Sequence, residues 1–253
     1  MRIRVERTEG VGRITLARPE KRNALDLAAA RELRESLREL AADASVRVVL
    51  LAADGDDFCA GADLTALNAL LGANDAAQLE DAEALGDVFR VMRAMPQVVV
   101  AAVKGRALAG GAGLATACDL VIAHEGARFG YPEVRVGFVP AMVMTLLRRL
   151  TGEKRAFDLV ATGRQVTARE ALELGLVSRV VPASDFDAAI EKLVAELAAT
   201  PAEALRMTKR LFYELDGLSF EDGVARGARA NVEARATADF REGVRRFALP
   251  GKP

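Results

Sequence analysis

Histidine occurs once in the 253 residues, at position 124, and cysteine only twice, at 59 and 118. A chain this poor in imidazole and thiol argues against a zinc site or a Cys–His nucleophile. Two cysteines make no disulfide framework and point to a reducing compartment. Neither sign of charge is in excess: 35 basic against 36 acidic residues give a net charge of −1. No basic face is predicted, and nucleic acid is not an expected partner. No apolar run is long enough for a membrane span. The opening MRIRVERTEG alternates like a strand and lacks a signal peptide's apolar stretch. The expectation is a soluble, cytoplasmic protein that makes no use of the membrane.

What the chain does contain is apolar residue, 51% of the total, at a length that can bury one sizeable core. IRVERTEGVGRITLARP reads as two short strands turning at 9–12. Asp26 then caps an amphipathic helix whose Leu33, Leu37 and Leu40 share a face with Ala30. VRVVLLAA (46–53) and QVVVAAV (97–103) are nearly continuous apolar runs, as expected of strands covered on both faces. A helix is expected to begin near Asp63 and another to end before Pro96, and CDLVIAH (118–124) reads as a further strand. Strand, loop, helix, strand in this order predicts an α/β domain. From about Lys154 the pattern is helical apart from GLVSRVV (175–181), with helices expected over 183–199, 202–215 and 219–236.

Three features carry possible chemistry. FCAGAD (58–63) follows a buried strand; alone, it reads as a tight turn with Asp63 as a helix cap. In ALAGGAGLATACDL (107–120), three glycines stand where an apolar run turns into a helix. Close helix–strand packing would explain them. A dinucleotide fingerprint begins at Gly111 and Gly113, but Thr116 occupies its third glycine position. Taken together, the two loops can aim backbone N–H groups at one point, as an oxyanion hole requires, with the helix dipole adding to the effect. The third feature is FGYPEVRVGFVPA (129–141), where Glu133 stands among Phe129, Tyr131, Val134 and Val136. Glu133 is either a solvated loop residue or a carboxylate in an apolar pocket, raised toward use as a proton carrier. Phe58, Phe129, Tyr131 and Phe138 are candidates for an acyl pocket or for core, Asp119 reads as structural, and His124 as a surface or packing residue.

RPEKRNAL (18–25), FCAGADL (58–64), GRALAGGAGLATACDL (105–120) and GLVSRVV (175–181), in this order and at these separations, resemble the enoyl-CoA hydratase/isomerase (crotonase) superfamily over nearly the whole chain. The resemblance implies an α/β fold built as a spiral of ββα units over residues 1–190. It implies a C-terminal helical region, 191–253, for trimerisation or as a lid, in a homotrimer or a hexamer made of two trimers. An acyl-CoA thioester is the implied substrate, with coenzyme A part of that substrate and no separate cofactor or metal. The N–H groups of Ala62 and Gly110 would hold the thioester oxygen. Arg22, Ala24, Ala60, Asp63, Leu64, Gly111 and Gly113 would border the CoA and acyl groups.

The resemblance also calls for two glutamates, of which Glu133 matches the second while Gly113 stands in place of the first. Adding water to a conjugated double bond is comfortable with two carboxylates, whereas shifting a double bond from the 3 to the 2 position can use one. Glycine at 113 would leave space for a water or a branched acyl group. Hydration of a 2-enoyl-CoA is therefore placed ahead of Δ3–Δ2 isomerisation, and both ahead of a catalytically silent CoA-binding protein.

Overall fold

A computed structural model describes residues 2–248. The sequence signals for the first elements hold closely. Strands β1 (Ile3–Thr8) and β2 (Val11–Leu16) form an antiparallel hairpin. Asp26 accepts from Ala29 N at 2.7 Å and starts α1 (Leu27–Ala42), which buries Leu33, Leu37 and Leu40 completely. β3 (Val48–Ala53) is followed by α2 (Leu64–Ala69), capped by Asp63, and by α3 (Asp75–Ala94). β4 (Val98–Val103) leads through β5 (Arg106–Leu108) into α4 (Gly110–Ala117), and β6 (Leu120–His124) leads into β7 (Arg128–Gly130). A 3₁₀ turn, Pro132–Val136, and the helices α5 (Ala141–Thr151) and α6 (Glu153–Thr162) come next. β8 (Gln165–Thr167), α7 (Ala168–Glu173) and β9 (Arg179–Val181) precede the terminal helices α8 (Phe186–Ala199), α9 (Ala202–Glu214), α10 (Phe220–Arg235) and α11 (Ala238–Ala248).

Two sheets organise these elements. The large one runs β1-β2-β3-β4-β6-β9 and is parallel apart from the opening hairpin. One face packs on α1, α3, α4 and their neighbours through Leu33, Val88, Met92 and Leu114. The other is covered by Phe186, Ile190, Leu193 and Val194 of α8. That double burial is why the strand runs are apolar without alternation. The small sheet, β5-β7-β8, is flanked by a parallel bridge from Cys59 to Ala107. Successive units thus send one segment to each sheet before a helix, which is the ββα spiral expected.

The expected boundary at 190 falls inside α8, whose apolar face closes the large sheet. β8 was not foreseen, because three residues carry no readable period, and α11 lies beyond the last expected helix. Met1 and residues 249–253 of the two expected regions lie outside the described residues. Among the described residues, no helix is long and apolar enough to cross a membrane.

Candidate active site

The site is built by the ends of three neighbouring segments of the small sheet. Cys59 pairs with Ala107, donating to Arg106 O at 3.0 Å and accepting from Leu108 N at 2.9 Å. β5 in turn pairs in parallel with β7, Leu108 opposite Gly130. Ala62, Gly110 and Glu133 each stand two or three residues beyond the ends of these adjacent segments. Adjacent strands are about 4.8 Å apart, so the register alone brings the three to one edge.

The backbone of Ala62 is aimed by its other neighbour. Leu25 N donates to Gly61 O and Asp63 N donates to Leu25 O, both at 2.8 Å. Gly61 and Asp63 therefore face Leu25, and the alternation of extended chain turns the Ala62 N–H the opposite way. Gly61, at φ 95°, lets the loop lie against the start of α4: a Cβ there would stand 2.8 Å from Ala109 Cβ and 3.3 Å from Gly110 N. On the other side, a Cβ at Gly111 would fall 2.2 Å from the Cys59 carbonyl oxygen. Ala109 itself holds φ 51°, a costly conformation for a residue with a Cβ, tied down by donation of its N–H to Gly130 O at 2.8 Å. As the first residue of α4, Gly110 has no intrahelical acceptor for its N–H. Among the described residues, the N–H groups of Ala62 and Gly110 have no hydrogen-bond acceptor. Both residues are accessible, Ala62 exposed and Gly110 half-buried.

The question left open about Glu133 is settled in favour of burial. It is the second residue of the 3₁₀ turn after β7 and is 8% exposed, and its Oε2 is buried without a partner. Burial pushes its carboxyl above the ordinary carboxylate range, only partly offset by its own backbone N–H. The Tyr131 hydroxyl, two residues earlier, is likewise buried and unpartnered, and its phenol is pushed upward by burial.

Gly113 is closely packed: a Cβ there would lie 2.3 Å from Val143 Cγ1 on α5 and 3.0 Å from Phe89 Cζ on α3. Gly111 serves close packing on Cys59 for the same reason. The side chain of Asp63 works inward. Its buried carboxylate caps Thr65 N at 2.9 Å and pairs with Arg18, Nη2 to Oδ2 at 3.1 Å. Burial alone would raise it, but the Thr65 and Ala66 N–H groups, Lys21 and Arg18 outweigh that and hold it low. Ala24 is buried, while Arg22, at φ 50°, and Leu64 are exposed beside the half-buried Ala60. Phe58, Phe129 and Tyr131 are core, and only Phe138 is exposed.

Sequence reasoning missed Arg18 and Asn23, which hold this corner together; the signal was RPEKRNAL itself, read only for what it might touch outside. His124 packs edge-on against Phe186, as a packing residue does. Both cysteines are buried, with the Cys59 thiol pushed up to about 12 by burial, so neither is a ready nucleophile. No group of three or more His, Cys, Asp or Glu side chains converges on a metal position among the described residues.

Comparison with known proteins places the chain in a family. The family model for enoyl-CoA hydratase/isomerase matches residues 6–253. The chain belongs to that family. It is 45% identical over 231 residues to a Thermus thermophilus protein provisionally named an enoyl-CoA hydratase, covering 90% of each. A Mycobacterium smegmatis enoyl-CoA hydratase superposes with TM-score 0.95 at 34% identity, over 100% of this chain and 98% of that one. Human enoyl-CoA hydratase domain-containing protein 3 does so at the same TM-score with 28% identity, over 100% and 99%. The crotonase-type α/β fold expected from the motifs is therefore the fold of this enoyl-CoA hydratase/isomerase family member, and the family acts on acyl-CoA thioesters.

Proposed function

We propose that the protein binds an enoyl-CoA thioester with its carbonyl oxygen between the Ala62 and Gly110 N–H groups, and that Glu133 alone carries the proton. The reaction this suits is the shift of a double bond from the 3 to the 2 position. Glu133 as carboxylate takes a proton from the α-carbon, and the electron pair moves onto the thioester oxygen as a dienolate. The two N–H groups and the N-terminus of α4 stabilise that charge. The carboxylic acid then returns the proton to the γ-carbon as the carbonyl re-forms, leaving the 2,3 double bond conjugated with it.

The observation that carries this reading is the closure at Gly113. Hydration is served best by a second proton-handling group, and position 113 offers no side chain and is packed against Val143 and Phe89. This proposal departs from the preference for hydration drawn from the sequence, which the names of the relatives favour. Hydration remains the second reading because relatives bear that name, and because Tyr131 offers one more unpartnered polar atom in the neighbourhood of Glu133.

Short 3-enoyl- and 2-enoyl-CoA substrates, followed side by side by ultraviolet absorbance of the conjugated thioester, separate the two. Conjugation appearing from the 3-enoyl substrate, with the 2-enoyl substrate left unhydrated, is expected. Formation of 3-hydroxyacyl-CoA as the only product would overturn the isomerase reading. The trimer or hexamer belongs to the same proposal. Exposed Phe220, Val224, Val232 and Val244 on α10 and α11 supply an apolar face that neighbouring copies would cover, and the mass in solution tests it.

A further inference from the structure

RPEKRNAL lies beside the loop that carries Ala62, and its buried members work inward. The Arg18 side chain, only 16% exposed, donates Nη1 to Asp26 Oδ2 at 2.8 Å and to Ala24 O at 3.3 Å, and Nη2 to Asp63 Oδ2 at 3.1 Å. Asn23, buried at φ 54°, accepts from Arg18 N at 2.9 Å. Its Nδ2 donates to the carbonyls of Asp54 and Asp57, at 2.9 Å each. One short segment therefore grips the loop on both sides of Ala62: the carbonyls of 54 and 57 before it and the carboxylate of Asp63 directly after it. Between these anchors run the two Leu25 hydrogen bonds that turn the Ala62 N–H outward.

We propose that Arg18 is a positioning residue for the thioester oxygen. By holding the Asp63 carboxylate it fixes the peptide next to Ala62, and so keeps the Ala62 N–H convergent with that of Gly110. The inference rests on the enolate reading above. A guanidinium suits the task because its two Nη groups reach two carboxylates and a carbonyl at fixed angles, whereas an ammonium acts as a point charge. The consequence is kinetic: a donor held in place beforehand is worth most where charge develops, so loosening it lowers kcat more than it raises KM.

The test compares Arg18→Met, Arg18→Lys and Asp63→Ser with the parent on a short 3-enoyl-CoA, measuring kcat, KM and Tm. Arg18→Met is expected to lower kcat by about 10- to 100-fold, the scale of a misplaced catalytic contact, with KM changed by less than about threefold. Arg18→Lys, which keeps a charge between the two acids, is expected to recover part of that loss. Asp63→Ser keeps a cap for α2 while removing the partner of Arg18, and should reproduce the kcat loss even if Arg18→Met does not fold. Combining Asp63→Ser with Arg18→Lys should cost no more than Asp63→Ser alone. Unchanged kcat in folded Asp63→Ser and Arg18→Lys, or a loss confined to KM or Tm, would overturn the positioning role. A parent that exchanges no α-hydrogen of an acyl-CoA in heavy water would instead bring down the enolate reading, whatever the variants do.

Discussion

Two carboxylates flank the glycine-rich helix α4, and they are treated in opposite ways. Asp119, just past its C-terminal end, has both oxygens engaged. Its Oδ2 accepts from Val99 N and from the Lys209 ammonium, each at 2.7 Å, and its Oδ1 accepts from the Tyr213 hydroxyl at 2.7 Å. Lys209, itself buried, spends its remaining donors on the carbonyls of Met92 and Gln97, both at 2.7 Å. Glu133, near the N-terminal end, is more deeply buried and keeps one oxygen with no partner. An acid with both oxygens bonded is part of the frame, here pinning α9 to the large sheet. An unsaturated one stores unspent hydrogen-bonding capacity, which is what a proton carrier requires.

Removing each acid's function should separate the two. Glu133→Gln should lower turnover of the 3-enoyl substrate by about 10²- to 10⁴-fold while leaving Tm at or above that of the parent; a variant that kept full activity would refute the assignment. Lys209→Met should do the reverse. Stranding Asp119 in a buried position costs about 3–5 kcal/mol of stability, read as a shifted urea midpoint, with kcat retained wherever the protein stays folded. If kcat fell in step with stability at low temperature, the two regions would not be separable.

A third change probes the backbone between them. Gly61→Ala places a methyl group against Ala109 and Gly110 at a φ that disfavours it. About 1–3 kcal/mol of strain is expected, together with a loss of kcat larger than that of a matched Gly→Ala change at Gly72, where a Cβ meets nothing. The gentlest probe is pH. Because burial raises the Glu133 carboxyl, the folded chain holds that proton more tightly than the unfolded chain. Stability from this group is present below the ordinary carboxylate value and is lost as pH climbs through the raised one. The stability of Glu133→Gln relative to the parent should therefore grow across that window and level off above it, measured as midpoints over a pH series.

How much of this the sequence reveals follows from the range of each signal. Runs such as VRVVLLAA and caps such as Asp26 and Asp63 act over a few residues and were legible. The convergence of 62, 110 and 133 depends on a small sheet whose strands are three residues long, too short to show a period, and only the family motifs pointed to it. Asp119 could be read as structural, but not its partners, since Lys209 and Tyr213 lie some ninety residues away. Asp63 stands beside Ala62, but that its side-chain oxygens bind Thr65 and Arg18 is not legible from that position. Nor does a glycine at 113 tell that a Cβ there would meet Val143.

That last contact also constrains which mutational routes are open. A carboxylate at 113 cannot be tried while Val143 keeps its methyl 2.3 Å from where the first side-chain carbon would go. Val143 would have to shrink first, and in a core the lost methyl groups carry a cost of their own, about 1 kcal/mol or more each. Two substitutions that are each unfavourable singly, and useful only together, make a barrier: a second acid at 113 is not reached one residue at a time.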